Sequence, residues 1–355
     1  INVLGPDLNE SYINYSVNQN NDIRFGLGAI KGVGSIAAEA IIEERKNNGN
    51  YKTFIDFLKR IDSKVVNKRV LEAMAYGGVF DNISNVNRAN FFKIEDDLTF
   101  IENAIIYKSQ ISKKNEKRNQ LTMFDSTTMD EITDEPVLSK THSWSKLDLL
   151  NKEKEVLGLY ASGHPLDDYR FEVKNICSHQ IKDIDLFEKP VKSFTFSAYV
   201  KSHVERISKN NQPYGILTLE DYSGTREFRL FGDNYIKFRN FYIEHTLLFF
   251  SASMITSKWS NENLRFQVND VFFLSDVSKK NINEIMFLIP LEEINDKNIE
   301  KIVDIFSKYP GKHNLKINIF SDNVSIPFIS KKFQVGVCTK FINEMSSISN
   351  NFVVK

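Results

Sequence analysis

Between residues 23 and 109 apolar positions recur at helical spacing: Ala37, Ile41 and Ile42, then Phe54, Phe57 and Leu58, then Val70, Leu71 and Met74. This spacing predicts a bundle of short helices. Its breaks fall at Gly32 and Gly34, at Asn48-Gly49 and at Gly77-Gly78, where glycine supplies the left-handed cap that ends a helix. Over 109–145 the pattern dissolves. A basic run (Lys108, Lys113, Lys114, Lys117, Arg118) gives way to an acidic stretch (Asp125, Asp130, Glu131, Asp134, Glu135) with few apolar residues, which reads as a linker or poorly ordered loop. Helical periodicity returns over 144–159 and halts at Gly163-His164-Pro165.

Over 193–275 the period changes to two. Phe194, Phe196, Ala198 and Val200 alternate with Thr195, Ser197, Tyr199 and Lys201, and similar runs follow at 214–221, 225–231, 246–256 and 264–274. One helical stretch, 234–241, falls between the third and fourth of these strands. Five strands with a helix at that point is the order of an oligonucleotide-binding (OB) barrel. The tail mixes strands at 285–289 and 315–320 with helices around 298–308 and 340–346, the pattern of a small α/β domain. The fold class expected is multidomain α+β. Its parts are a helical region (1–108), a polar linker (109–145), a helical connector (146–187), a five-stranded OB β-barrel (188–278) and an α/β tail (279–355).

A length of 355 residues fits this division, since it exceeds what one hydrophobic core usually serves. No apolar run approaches the roughly 18 to 20 residues needed to cross a bilayer, so the chain reads as soluble, with no membrane partner. Lys plus Arg (46) equals Asp plus Glu (46), which argues against coating nucleic acid by bulk charge and leaves local basic patches open. Cys177 and Cys338 lie far apart and the six histidines lack ligand spacing, so neither a zinc site nor a disulfide framework is expected, and a reducing cytoplasm fits. The chain opens on Ile1 without a signal-like leader, the look of a segment from a longer protein.

The most informative string is Ile30-Lys31-Gly32-Val33-Gly34-Ser35-Ile36-Ala37-Ala38-Glu39-Ala40-Ile41-Ile42, which has a helix-hairpin-helix layout. Without Cβ atoms Gly32 and Gly34 let the turn lie against a phosphate, and the amides opening the helix at Ser35 point outward as anion donors. Lys31 adds a point charge, and Ala38 permits a close helix crossing. Contacts of this kind go to backbone rather than bases, so binding would ignore sequence. The string also suits a tight turn between packed helices with no ligand. Lys59, Arg60, Lys64, Lys68 and Arg69, relieved only by Asp62, follow closely; such a run is either a solvated face or a line of cations along the same duplex backbone.

Gln120-Leu121-Thr122-Met123-Phe124 places a glutamine ahead of two large apolar side chains inside polar sequence, the form of a short peptide plugging a partner's cleft, unless it docks on a neighbouring domain. In the strand-rich region Lys201, Arg206 and Lys209 lie on or just past the first strand, Arg229 on the third, and Lys258 and Arg265 flank the loop before the fifth. With Tyr214, Phe231 and Trp259 they supply the cations and stacking platforms a single strand needs. Catalytic signals are thin. Asp183-Ile184-Asp185 has the spacing of a metal-binding D-x-D but lies in a connector with no third carboxylate, so a solvated loop is the better reading, and no metal site is expected. His164 reads as a turn residue.

Three strings carry a family resemblance: Phe25-Gly26-Leu27-Gly28-Ala29-Ile30-Lys31-Gly32-Val33-Gly34; Asn67-Lys68-Arg69-Val70-Leu71-Glu72 with Gly77-Gly78-Val79-Phe80-Asp81; and Leu157-Gly158-Leu159-Tyr160-Ala161-Ser162-Gly163-His164-Pro165-Leu166. In order and spacing they resemble landmarks in the C-terminal part of the bacterial replicative DNA polymerase III alpha subunits, from residue 1 to about 275. In the last eighty residues or so no string is distinctive. The resemblance implies that the hairpin, Lys31 to Ser35, holds duplex DNA, beside which Lys64, Lys68 and Arg69 of the basic run are the further candidates, and that Gln120 to Phe124 dock on the sliding clamp. It further implies that the OB domain lies near single-stranded template and that the tail binds the clamp-loader tau subunit. The DNA-directed DNA polymerase activity, its Mg²⁺ and the palm carboxylates belong upstream of Ile1 in that family, so this segment is expected to be inactive alone and to hold no cofactor. Asp183 and Asp185 match no catalytic position of that family. A non-enzymatic scaffold or repair accessory protein joining a helix-hairpin-helix to an OB fold remains an alternative, as does an error-prone paralogue.

Overall fold

Side-chain caps fix where the helices of the first half begin. Thr53 accepts from the Asp56 amide, Asn67 from Val70 and Ser145 from Asp148, each satisfying an amide that the first turn leaves without a partner. The computed structural model describes residues 2–84, 87–120, 134–138, 143–257, 260–321, 324–349 and 351–355, with backbone alone at 115–120, 257 and 260–263. The architecture is mixed α+β and divides into two compact units, 1–164 and 165–355. That division falls at His164-Pro165, inside the stretch expected to be a connector.

The first unit opens on a small sheet of β1 (Val3–Leu4), β2 (Ser16–Val17) and β3 (Ile23–Arg24). Helices α1 (Ser35–Asn48), α2 (Phe54–Arg60), α3 (Lys68–Gly77) and α4 (Asp81–Ser84) follow. Next come a two-stranded ribbon, β4 (Ile94–Glu95) with β5 (Leu98–Thr99), the long α5 (Phe100–Gln120) and α6 (Lys146–Leu157). Their shared core is rich in phenylalanine: Phe54 packs edge-on against Phe80 at 4.9 Å and Phe91 at 5.1 Å. Helix α5 runs to Gln120, past the point where apolar periodicity ends, because Lys, Glu, Gln and Arg are good helix formers even without an apolar stripe.

One ionic knot ties this unit across long sequence separations. Arg88 pairs with Asp81 and, at 3.0 Å, with the buried Glu153 of α6. The other oxygen of Glu153 accepts from the Ala161 and Ser162 amides at 2.9 Å and so shapes the Ala161-Ser162-Gly163 turn. Gly78, left-handed at φ 82°, makes room for the knot: a Cβ there would sit 2.1 Å from the Arg88 guanidinium.

The second unit begins with α7 (Arg170–Ile176) and contains a five-stranded sheet of β6 (Val191–Ile207), β7 (Pro213–Asp221), β8 (Gly224–Phe231), β9 (Leu247–Ser257) and β10 (Ser260–Phe273), in the order β10-β9-β6-β7-β8. The short helix α8 (Asp233–Ile236) lies between the third and fourth strands as expected. No ladder joins β8 to β10 among the described residues, so the expected closed barrel is an open sheet in its hydrogen bonding. Helix α9 (Leu274–Asn281) leads to a four-stranded sheet ordered β13-β12-β11-β14. There β11 (Glu284–Pro290) and β12 (Pro310–Ser321) are parallel across α10 (Asp296–Lys308), while β13 (Val324–Val335) pairs antiparallel with β12 and β14 (Phe352–Val354) antiparallel with β11. Helix α11 (Thr339–Met345) precedes β14.

Candidate nucleic-acid interface

The two glycines of the hairpin have different surroundings. Gly32 takes φ 96°, a conformation L side chains rarely adopt, and a Cβ on it would lie 3.4 Å from Cβ of Ala73 on α3. Gly34 is extended, with φ −75° and ψ 164°, and a Cβ on it would meet nothing within 4 Å. It caps α1 without a side-chain hydrogen bond, so the amides of the first turn face an open approach. Val33 between them is buried and anchors the turn, and the Lys31 amide donates to the Val156 carbonyl of α6 at 2.8 Å. Lys31 and Ser35 are exposed. The result is a rigid loop presenting backbone donors at the positive end of a helix, a geometry suited to an anion.

The basic run is less uniform than its sequence suggests. Arg60 is built into the fold: it pairs with Glu44 at 2.9 Å, lies near Asp56, donates to the Gly49 carbonyl and stacks over Tyr51. Lys68 bonds Glu102 at 2.7 Å; that contact, reinforced by the Thr99 amide and hydroxyl, holds the Glu102 carboxyl down at about 2. Lys59 pairs with Glu135 at 2.8 Å. Among the described residues Lys64 and Arg69 make no ion pair and are exposed. Arg69 stands one turn before Ala73 on α3, on the face that meets Gly32, which puts its Cβ about 5–6 Å along the helix from the hairpin contact.

In the second unit the register gathers several expected residues on one face. Strand β6 pairs Val200 with Leu219 and then Ser202 with Thr218, leaving Lys201 as the extra residue of a bulge. The bulge shifts the phase of the alternation. Before it Phe194, Phe196, Ala198 and Val200 enter the core; beyond it His203 and Glu205 turn inward to the hydroxyl of buried Tyr235, and Val204 and Arg206 turn outward. Arg206 then lies opposite Tyr214, which lies opposite Phe231, with the last two rings stacked at 5.0 Å. Arg229 is on the same face, half engaged by Glu227 at 3.0 Å. Lys209 is in the β6–β7 loop. Arg265 is exposed on β10, at the opposite edge in the strand order. Lys258 and Trp259 lie outside the described residues, as do Leu121, Thr122, Met123 and Phe124; Gln120 is described by its backbone alone.

The D-x-D residues have structural partners: Asp183 accepts from the Gln180 amide at 2.7 Å in a capping box, and Asp185 pairs with Arg226 at 2.7 Å. His164 lies edge-on to Tyr160. Sequence reasoning passed over Trp144, which stacks with Tyr76 at 5.8 Å under the Lys152 ammonium; only the fold brings these three together. No described helix is long and apolar enough to cross a membrane.

Comparison with known proteins adds an independent line. A helix-hairpin-helix motif model matches residues 1–91, and the model for the C-terminal domain of the DNA polymerase III alpha subunit matches 285–350, the tail in which no distinctive string was found. The chain is 31% identical over 298 residues to DNA polymerase III subunit alpha of Borreliella burgdorferi, covering 83% of this chain and 25% of that protein. The counterpart in Escherichia coli strain K12 is 27% identical over 303 residues, 85% of this chain and 25% of the relative. That of Pasteurella multocida is 28% identical over 311 residues, 88% and 26%. The chain thus spans about a quarter of the length of the curated relatives it matches. Among solved structures, the mitochondrial single-stranded DNA binding protein Rim1 of S. cerevisiae covers 23% of this chain at 19% identity and a TM-score of 0.18, too low to carry an argument. By sequence, the chain is a relative of the C-terminal part of the DNA polymerase III alpha subunit family.

Proposed function

We propose that this chain is the DNA-handling and partner-binding C-terminal segment of a replicative DNA-directed DNA polymerase, holding duplex DNA through the hairpin at Lys31 to Ser35. The observation that carries this is the open face of Gly34 beside Lys31 and the first-turn amides of α1, with the exposed Arg69, which makes no ion pair among the described residues, on the neighbouring α3. In this reading a phosphate would approach the open face of Gly34 and the first-turn amides, with the cations alongside. Because the contacts are to backbone, the hold would be independent of sequence and steeply salt-dependent.

The five-stranded sheet is read as an OB domain, since its order runs third, second, first, fourth and fifth strand about a long bulged first strand. Its outward face of Arg206, Tyr214, Arg229 and Phe231 would take single-stranded template, with Lys201, Lys209 and Arg265 less central. Gln120 to Phe124 would dock on the sliding clamp, and the tail would meet the clamp-loader tau subunit; the family relationship supports both. In this reading nucleotide transfer and its Mg²⁺ belong to the palm of the whole polymerase, which works in the cytoplasm.

Gly34→Asp tests the hairpin. Asp is a better N-cap than Gly by a few tenths of a kcal/mol, and it would both satisfy a first-turn amide and place a negative charge where the phosphate belongs. Duplex affinity, measured by fluorescence anisotropy, should fall about tenfold or more for any sequence while the melting temperature holds or rises. An unchanged duplex affinity would refute the assignment.

A further inference from the structure

Three cations of the basic run have carboxylate partners, and one of those partners differs in kind. Glu44 and Asp56, which hold Arg60, sit on α1 and α2, and Glu102, which holds Lys68, is fixed at the start of α5 by the Thr99 amide and hydroxyl. Glu135 belongs to residues 134–138, which lie outside every helix and strand. Its Oε2 meets the Lys59 ammonium at 2.8 Å and accepts the Tyr107 hydroxyl at 3.3 Å, while Lys59 itself lies over the Tyr107 ring. Leu138 reaches the core of the unit, but Val137 is 85% exposed. Asp134, Pro136 and Val137 wall a cavity of about 320 Å³ whose other side includes Asn103 and Ile106 of α5. Among the described residues the stretch is therefore moored by the Lys59 ion pair, the Tyr107 hydroxyl and the Leu138 side chain, beside a space it does not fill.

We propose that residues 134–138 are an intramolecular competitor for DNA, with Glu135 occupying at Lys59 the position a duplex phosphate takes. The proposal rests on the duplex-binding reading above. Both partners are about half exposed, so the pair is weak and screened by salt, and a polyanion arriving at the strip displaces it readily. The Lys68–Glu102 pair has no such freedom. Release of Glu135 frees Lys59 for the backbone and uncovers one wall of the cavity. By reciprocity, anything that takes up this stretch strengthens duplex binding, and duplex binding makes the stretch easier to take up.

The test uses the whole 355-residue chain with a duplex of arbitrary sequence. Glu135→Gln should tighten duplex binding about two- to fivefold at low salt, the gain fading as salt is raised. On a Lys59→Gln background the same change should give no gain. A carbodiimide, which joins a lysine amine to a carboxylate, should link Lys59 to Glu135 in the free chain, and saturating duplex should suppress that link. Equal affinities for Glu135→Gln and the parent at every salt concentration, or a link that duplex leaves untouched, would overturn the competitor while Gly34→Asp still loses binding. If Gly34→Asp binds duplex as the parent does, the duplex reading fails and the competitor with it.

Discussion

Gly32 and Gly34 look equivalent in a G-x-G string, yet they are glycine for different reasons. Position 32 needs a left-handed backbone packed on Ala73, so any replacement there strains the turn and confuses a binding assay with a folding defect. Position 34 needs only empty space, which makes it the informative site for mutation. The string was legible in the sequence; the division of labour was not, since it depends on α3, a partner more than thirty residues away. The same limit applies to Glu172, which no sequence pattern marks. It is buried with no cationic partner among the described residues, accepting from Ser278 on α9 at 2.9 Å and from Thr339 on α11 at 3.0 Å, and burial pushes its carboxyl above the ordinary value of 4.5. Raised in the folded state, the group contributes stability below its unfolded value and loses that contribution as pH climbs through the folded one. Glu172→Gln should therefore raise the urea midpoint at pH 7, by an amount that grows with pH just above 4.5; a difference between variant and parent that stays constant through that window would contradict the account.

Among the elements, alternation placed all five strands of the larger sheet and the helix after the third, because one face is buried and a period of two then has to appear. It did not show the bulge at Lys201. A one-residue slip leaves composition unchanged while exchanging the faces of everything beyond it, and it alone sends Arg206 outward to Tyr214. Strand β13 escaped notice for a different reason. It is an edge strand exposed on both faces, with Val324, Ile326, Phe328 and Ile329 all exposed and Pro327 within it, so no periodicity of burial marks it. Two outcomes belong to this scale. Gly215→Ala would put a Cβ 2.3 Å from the Tyr235 ring, so it should destabilise the second unit by about 1–3 kcal/mol in chemical denaturation. Phe231→Ala removes half of an exposed ring pair and should weaken single-strand binding by about 1–3 kcal/mol with little change in melting temperature; unchanged single-strand affinity would take that face out of the account.

Over the whole molecule, the equality of 46 basic and 46 acidic residues has a structural meaning. In the basic run charge is cancelled locally at Arg60, Lys68 and Lys59, while Lys31, Lys64 and Arg69 are exposed and make no ion pair among the described residues. In the proposed function a hold on duplex built on these charges would be modest and would need a second attachment, the role proposed for Gln120 to Phe124. Replacing Gln120, Met123 and Phe124 with alanine should abolish capture by the sliding clamp and leave duplex affinity within twofold or so; clamp capture at the parent level would remove that peptide from the account. The multidomain α+β plan was visible from the chain alone, whereas the division at His164-Pro165 was not. It depends on α6 joining the first unit through Glu153, a contact between residues far apart in sequence. That contact also governs which changes the chain tolerates. With Arg88 in place, a side chain at 78 collides with its guanidinium; with Arg88 gone, Glu153 is left as a buried charge facing two amides. The effect of a mutation at 78 thus depends on the residue at 88, and that at 88 on the residue at 153, so the order in which these three positions change decides what each change costs.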